Sequence, residues 1–139
     1  MPDNGAPTRT SEADLPGGAE IRVLVVDDYP DNVESMALLL RLYGYKADVA
    51  RTGSAALLAA QAHPPDVVLC DVSLPGMSGL EVGKQLRQML QDKVLLVAIT
   101  AHGFDEIRGR CVEAGFDRYF VKPADPEKIK ELLQEVEHA

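Results

Sequence analysis

The segment Val67-Val68-Leu69-Cys70-Asp71 decides the reading of this chain, because a short apolar run stops abruptly at one carboxylate. Three other runs share the form. Val23-Leu24-Val25-Val26 stops at Asp27, Val94 to Ile99 at Thr100, and Tyr119-Phe120-Val121 at Lys122. Near-continuous apolar runs of this length fit strands covered on both faces. If the four are neighbouring parallel strands, two carboxylates, a hydroxyl and an ammonium converge at one sheet edge, where open α/β folds place their ligands. Clustered carboxylates call for a divalent cation, while a hydroxyl and an ammonium suit the oxygens of a phosphoryl group.

Working outward, strand-like and helix-like segments alternate from Ile21 onward. Val33, Met36, Ala37, Leu40 and Tyr43 recur at helical spacing, and Gly44 stops that helix. A short edge strand over Lys46 to Ala50 follows, then a small-residue helix from Gly53 to His63, closed by Pro64-Pro65. Beyond Asp71, Pro75-Gly76 marks a turn and Ser78 can cap the helix carrying Leu80, Leu86, Met89 and Leu90. Asp105 to Ala114 reads as a helix weakened by Gly109 and ended by Gly115. The last helix sets Ile129, Leu132, Leu133 and Val136 on one face, with Asp125 as its cap. Five repetitions of strand then helix make an α/β fold with a parallel sheet.

Composition bounds the function. The 139 residues suit one domain, over about 21–139, preceded by a leader or linker over 1–20 rich in Pro and Gly and expected to lack fixed structure. With 14 Lys plus Arg against 22 Asp plus Glu, the formal charge of -8 argues against direct nucleic-acid binding. No apolar stretch approaches the roughly 20 residues that span a bilayer, and no secretory pattern opens the chain, so the expected location is cytoplasmic. Cys70 lies inside an apolar run and Cys111 in a helix, which fits buried thiols and no structural disulfide. His63 and His138 have no clustered ligand partners, so a zinc site is not indicated.

Asp27-Asp28 after the first strand, Asp71 after the third, Thr100-Ala101 after the fourth and Lys122-Pro123 after the fifth resemble the receiver domain of bacterial two-component response regulators. The likeness spans about Ile21 to Glu137. It implies a flavodoxin-like (βα)5 three-layer sandwich whose five-stranded parallel sheet runs in the order 2-1-3-4-5. It also implies that Asp71 is the phosphoacceptor and that Asp28, Asp71 and the main-chain carbonyl of Ser73 bind Mg²⁺ directly, with Asp27 acting mainly through water. Lys122 would hold a phosphoryl oxygen, and Thr100 would donate to another and form a switch with Tyr119. The resemblance further implies a cis Lys122-Pro123 bond, and places Ser73 and His102 beside the water path to the phosphoryl group. The partner would be a histidine kinase or a histidine phosphotransfer protein. The surface formed by the fourth helix, fifth strand and fifth helix would pass the signal to a protein target.

The residues support that chemistry in their own right. Two carboxylates about 4 Å apart repel by about 4 kcal/mol at an effective dielectric near 20, so three in one site need a cation. A carboxylate can also attack phosphorus and form an aspartyl phosphate. Taken singly, each residue has a blander reading: an Asp-Asp turn, a Thr bonded to backbone, a Lys reaching out to solvent, a half-buried Tyr, a solvent-exposed loop His102. Their joint placement outweighs those readings. A flavin carrier of the same fold would want hydroxyls and glycines where Asp27-Asp28-Tyr29-Pro30-Asp31 stands, and an aspartyl phosphatase would carry a second Asp at position 73. A degenerate receiver, acting as a phosphorylation-independent interaction module, is the nearest alternative. Such proteins lose an acidic residue, the Thr or the Lys, and this chain has all of them.

Overall fold

Three of the apolar runs supply the middle strands of a sheet, where both faces need cover, and the fourth, at Tyr119–Val121, supplies an edge strand. The computed structural model describes residues 21–74, 76–101, 103 and 105–138. The expected leader over 1–20 and Pro75 of the expected turn lie outside those residues. The elements are β1 (Arg22–Val26), α1 (Pro30–Leu42), β2 (Lys46–Ala50), α2 (Gly53–Ala62), β3 (Val67–Asp71), α3 (Gly79–Leu90), β4 (Leu95–Thr100), α4 (Asp105–Glu113), β5 (Arg118–Val121) and α5 (Pro126–Glu137). All strand pairs are parallel and the order is β2-β1-β3-β4-β5. This is the flavodoxin-like arrangement that the resemblance implied.

Strand alternation divides the core into two layers. Val23, Val25, Val67, Leu69 and Val97 face α1 and α5, where Val33, Ala37, Leu40, Ile129, Leu132 and Leu133 are buried. Leu24, Val26, Val68, Cys70, Leu96 and Ala98 face α2, α3 and α4. Within that second layer Ala56 and Ala60 let α2 lie close to the sheet, as its small-residue face suggested.

The expected punctuation is present. Ser78 Oγ accepts from Glu81 N–H at 3.3 Å, and an Asp125 side-chain oxygen accepts from Glu127 N–H at 3.0 Å. Gly44 and Gly115 have φ of 98° and 100°, a region that L side chains avoid. In each case the glycine N–H and the next N–H reach back to the preceding turn: Gly44 to Arg41 and Tyr45 to Leu40, Gly115 to Val112 and Phe116 to Cys111. Both are Schellman ends, and they turn the chain straight into the next strand. One element was not expected. A 3-10 turn over Gln91–Lys93 follows α3, so β4 begins at Leu95 and the buried Val94 precedes it.

The α3 face shows how little slack the second layer has. A Cβ placed on Gly83 would lie 2.4 Å from Cε2 and 2.6 Å from Cζ of the buried Phe116 ring. Overpacking of this kind costs about 1–3 kcal/mol. Gly83→Ala should therefore lower unfolding free energy by about that amount in urea titration, and an unchanged midpoint would contradict the packing.

Candidate functional site

The four polar residues that end the apolar runs do meet at the carboxyl edge of the sheet, on both sides of the β1/β3 boundary where the strand order reverses. Asp27 follows β1, and its N–H donates to the carbonyl of Ala50 at 3.1 Å, which extends the β1–β2 pairing by one step. Asp71 closes β3 opposite Ile99, and Val72 N–H continues to the Ile99 carbonyl at 3.0 Å. Lys122 follows β5, with its N–H on the Thr100 carbonyl at 2.7 Å. Each residue is thus held by main-chain bonds to a neighbouring strand before its side chain does anything.

Alternation then assigns the faces. Asp27, Asp71 and Lys122 stand two residues beyond Val25, Leu69 and Phe120, on the α1/α5 side. Thr100 stands two beyond Ala98, and Tyr119 pairs with Ala98, both on the opposite side. The charged groups and the hydroxyl therefore approach the strand ends from different layers.

Asp71 is 5% exposed, and each carboxylate oxygen has a donor: Oδ1 accepts from Ser73 N–H at 2.9 Å and Oδ2 from Lys122 Nζ at 2.9 Å. Lys122 Nζ also lies 3.9 Å from Asp27 Oδ2. Asp27 takes two further donors, Tyr29 N–H at 3.0 Å and Asn32 Nδ2 at 3.4 Å. Asp28 is exposed, yet one oxygen from each of Asp27, Asp28 and Asp71 lies within 4.8 Å of the others. That set of hard oxygen donors fits a cation such as Mg²⁺, which takes few carboxylates and keeps several waters. Thr100 is buried at 1% exposure. The Lys122-Pro123 bond is cis, as the resemblance implied. His102 lies outside the described residues.

Burial works against the Lys122 ammonium, but the hydrogen bond and charge of Asp71, together with Asp27 and Asp28, outweigh it and hold the pKa above the ordinary lysine value. Burial pushes the Cys70 thiol far up, with the Asp71 charge adding to it, so this neighbour of Asp71 is inert.

Two features of the site were not singled out from the sequence. Asn32, one turn into α1, braces Asp27. Gly79, the first residue of α3, packs so closely on β3 that a Cβ would stand 2.2 Å from the Asp71 carbonyl oxygen. Beside the carboxylates a groove of about 550 Å³ opens between α1 and the loop from β5 to α5. Its lining includes the apolar Met36, Leu39 and Ala124 together with Asp27, Asp71 and Lys122.

An open parallel sheet with acidic residues, a buried hydroxyl and a lysine at its switch point places the chain in the class of flavodoxin-like domains. Residues 23–134 match the model of the response regulator receiver domain, and the chain belongs to that family. It is 40% identical over 101 residues to the transcriptional regulatory protein KdpE of Mycobacterium tuberculosis, covering 73% of this chain and 44% of that protein. It is 34% identical over 127 residues to the sensor histidine kinase RcsC of Salmonella typhi, covering 91% of this chain and 13% of the kinase. The match to KdpE therefore spans less than half of that relative, and the match to RcsC a small part of it. Among solved structures, the chemotaxis protein CheY4 of Vibrio cholerae superposes with a TM-score of 0.79 at 32% identity, over 85% of this chain and 99% of that one. A CheY-like receiver domain protein from Methanospirillum hungatei gives 0.80 at 26% identity, over 86% and 95%.

The Lys122 interactions make a pH test. Because its pKa is raised on folding, the stabilisation it contributes is complete below the unfolded lysine value of about 10.4 and is lost as pH rises through the folded value. A ¹³Cε titration of Lys122 should give a midpoint above 10.5, and Asp71→Asn should move it down. A midpoint unaffected by that substitution would contradict the pairing.

Proposed function

We propose that this receiver domain accepts a phosphoryl group on Asp71 from a phosphohistidine of a partner histidine kinase or histidine phosphotransfer protein. The observation that supports this most directly is a buried carboxylate bonded to Lys122 Nζ at 2.9 Å, with the carboxylates of Asp27 and Asp28 close by. Asp28, Asp71 and the Ser73 carbonyl would hold Mg²⁺, with Asp27 contributing through water. When bound, the cation neutralises carboxylate charge and that of incoming phosphoryl oxygens.

In the transfer, an Asp71 carboxylate oxygen forms the bond to phosphorus while the donor's P–N bond breaks. The electron pair stays on the imidazole nitrogen. Lys122 passes from the carboxylate oxygen to a phosphoryl oxygen, and Thr100 donates its hydroxyl to another. Hydrolysis reverses the state when water attacks phosphorus and inorganic phosphate leaves. The chain thus catalyses only its own phosphorylation and dephosphorylation. The apolar groove gives the donor protein a contact surface adjoining the acceptor.

The phosphorylated state carries more negative charge and new hydrogen bonds at the strand ends, which bias the α4–β5 side toward a second arrangement. Thr100 would lead and Tyr119 would follow, altering the surface offered to a downstream protein. Among the described residues no helix is long and apolar enough to cross a membrane, which is compatible with a cytoplasmic setting.

Incubation with a small acyl phosphate and Mg²⁺, followed by intact-mass measurement, should show one added phosphoryl group. Asp71→Asn removes the nucleophile at nearly constant volume, so it should gain none while its amide spectrum stays folded. Labelling that persists in the variant would overturn the assignment of Asp71.

A further inference from the structure

α4 is thinly attached. Of its nine residues only Cys111 is buried, whereas α1 and α5 each bury three. Ile107 packs on the core from a half-buried position, and Val112 points outward at 67% exposure. For a helix with so little apolar anchorage, a single further contact can set its resting position.

Such a contact exists. The Arg108 guanidinium carbon lies 5.7 Å from the centroid of the Tyr119 ring, within the range of a cation–π interaction. Among the described residues Arg108 makes no ion pair, so the guanidinium is given to the ring. Tyr119 is half-buried on β5, and it pairs with Ala98, two residues before Thr100 and on the same face.

We infer that Arg108 is a positioning residue that latches α4 to the Tyr119 ring in the resting state and so opposes activation. The inference rests on the reading given above, in which Tyr119 follows Thr100 when a phosphoryl group is bound. If the ring turns toward Thr100, it leaves the guanidinium, and the energy of that contact is lost from the active state. The latch is then a tuning element: it sets how readily the domain switches and takes no part in the transfer chemistry.

Beryllofluoride with Mg²⁺ serves as the probe, its affinity read from amide shifts around Asp71. Arg108→Ala should bind it about two- to fivefold more tightly than the unmodified domain, the span expected for an exposed cation–π contact. Arg108→Lys, which keeps a cation without the planar stack, should fall between them. In a Tyr119→Leu background the Arg108→Ala change should have no effect, since the ring that receives the cation is gone. Should Arg108→Ala fail to fold, Arg108→Met keeps the side-chain stem and tests the same loss. Equal or weaker affinity in the Arg108 variants, or an undiminished effect without the Tyr119 ring, overturns the latch while leaving the site reading intact. Failure of the unmodified domain to bind the probe overturns both.

Discussion

Three carboxylates crowded within 4.8 Å, with one ammonium among them, are the constraint around which the rest of this molecule is arranged. Separate residues at exposed loop tips would spread apart in water. Here Asp27, Asp71 and Lys122 are fixed by main-chain bonds to adjacent strands, so repulsion cannot be relieved by moving the backbone. Lys122 offsets part of the charge, and the carboxylates hold its pKa above the ordinary lysine value against the opposing effect of burial. The remaining negative charge suits a divalent cation and, through it, an incoming phosphoryl group. Supporting contacts follow the same logic: Ser73 N–H and Asn32 brace the carboxylates, while the lack of a side chain at Gly79 lets α3 start against the Asp71 carbonyl.

Strand alternation sets the charged cluster and the Thr100–Tyr119 pair on opposite layers. Asp27, Asp71 and Lys122 project on the α1/α5 side, beside the groove, whereas Thr100 and Tyr119 belong to the α4 side. Under the proposed function, a change at phosphorus would reach a different surface through residues on adjacent strand ends. The thin attachment of α4 suits that side to movement, and the tightly filled interface between Gly83 and Phe116 suits α3 to staying in place.

Much of this is legible in the sequence alone. Each apolar run ended where its strand or the next residue does, because a buried parallel strand tolerates polarity only at its ends. Caps at Ser78 and Asp125 and stops at Gly44 and Gly115 were readable because their chemistry is local. Strand order came from resemblance and not from the residues, since the apolar pattern of a buried strand is the same wherever it sits in the sheet. The 3-10 turn at Gln91–Lys93 carries no apolar period and gave no signal. Gly79, Asn32 and Arg108 were missed for another reason. Their partners, Asp71, Asp27 and Tyr119, lie on other elements, and only register and packing bring them together.

The most direct test of this account is the thermal midpoint of Asp28→Asn against the unmodified domain, each with and without Mg²⁺. Asp28 is exposed and buries nothing, so the substitution changes the charge of the cluster with little effect on packing. If carboxylate crowding is the governing constraint, the variant melts higher than the unmodified domain without Mg²⁺ and gains less when Mg²⁺ is added. A variant that melts lower without the cation, yet gains as much from it, would contradict the account.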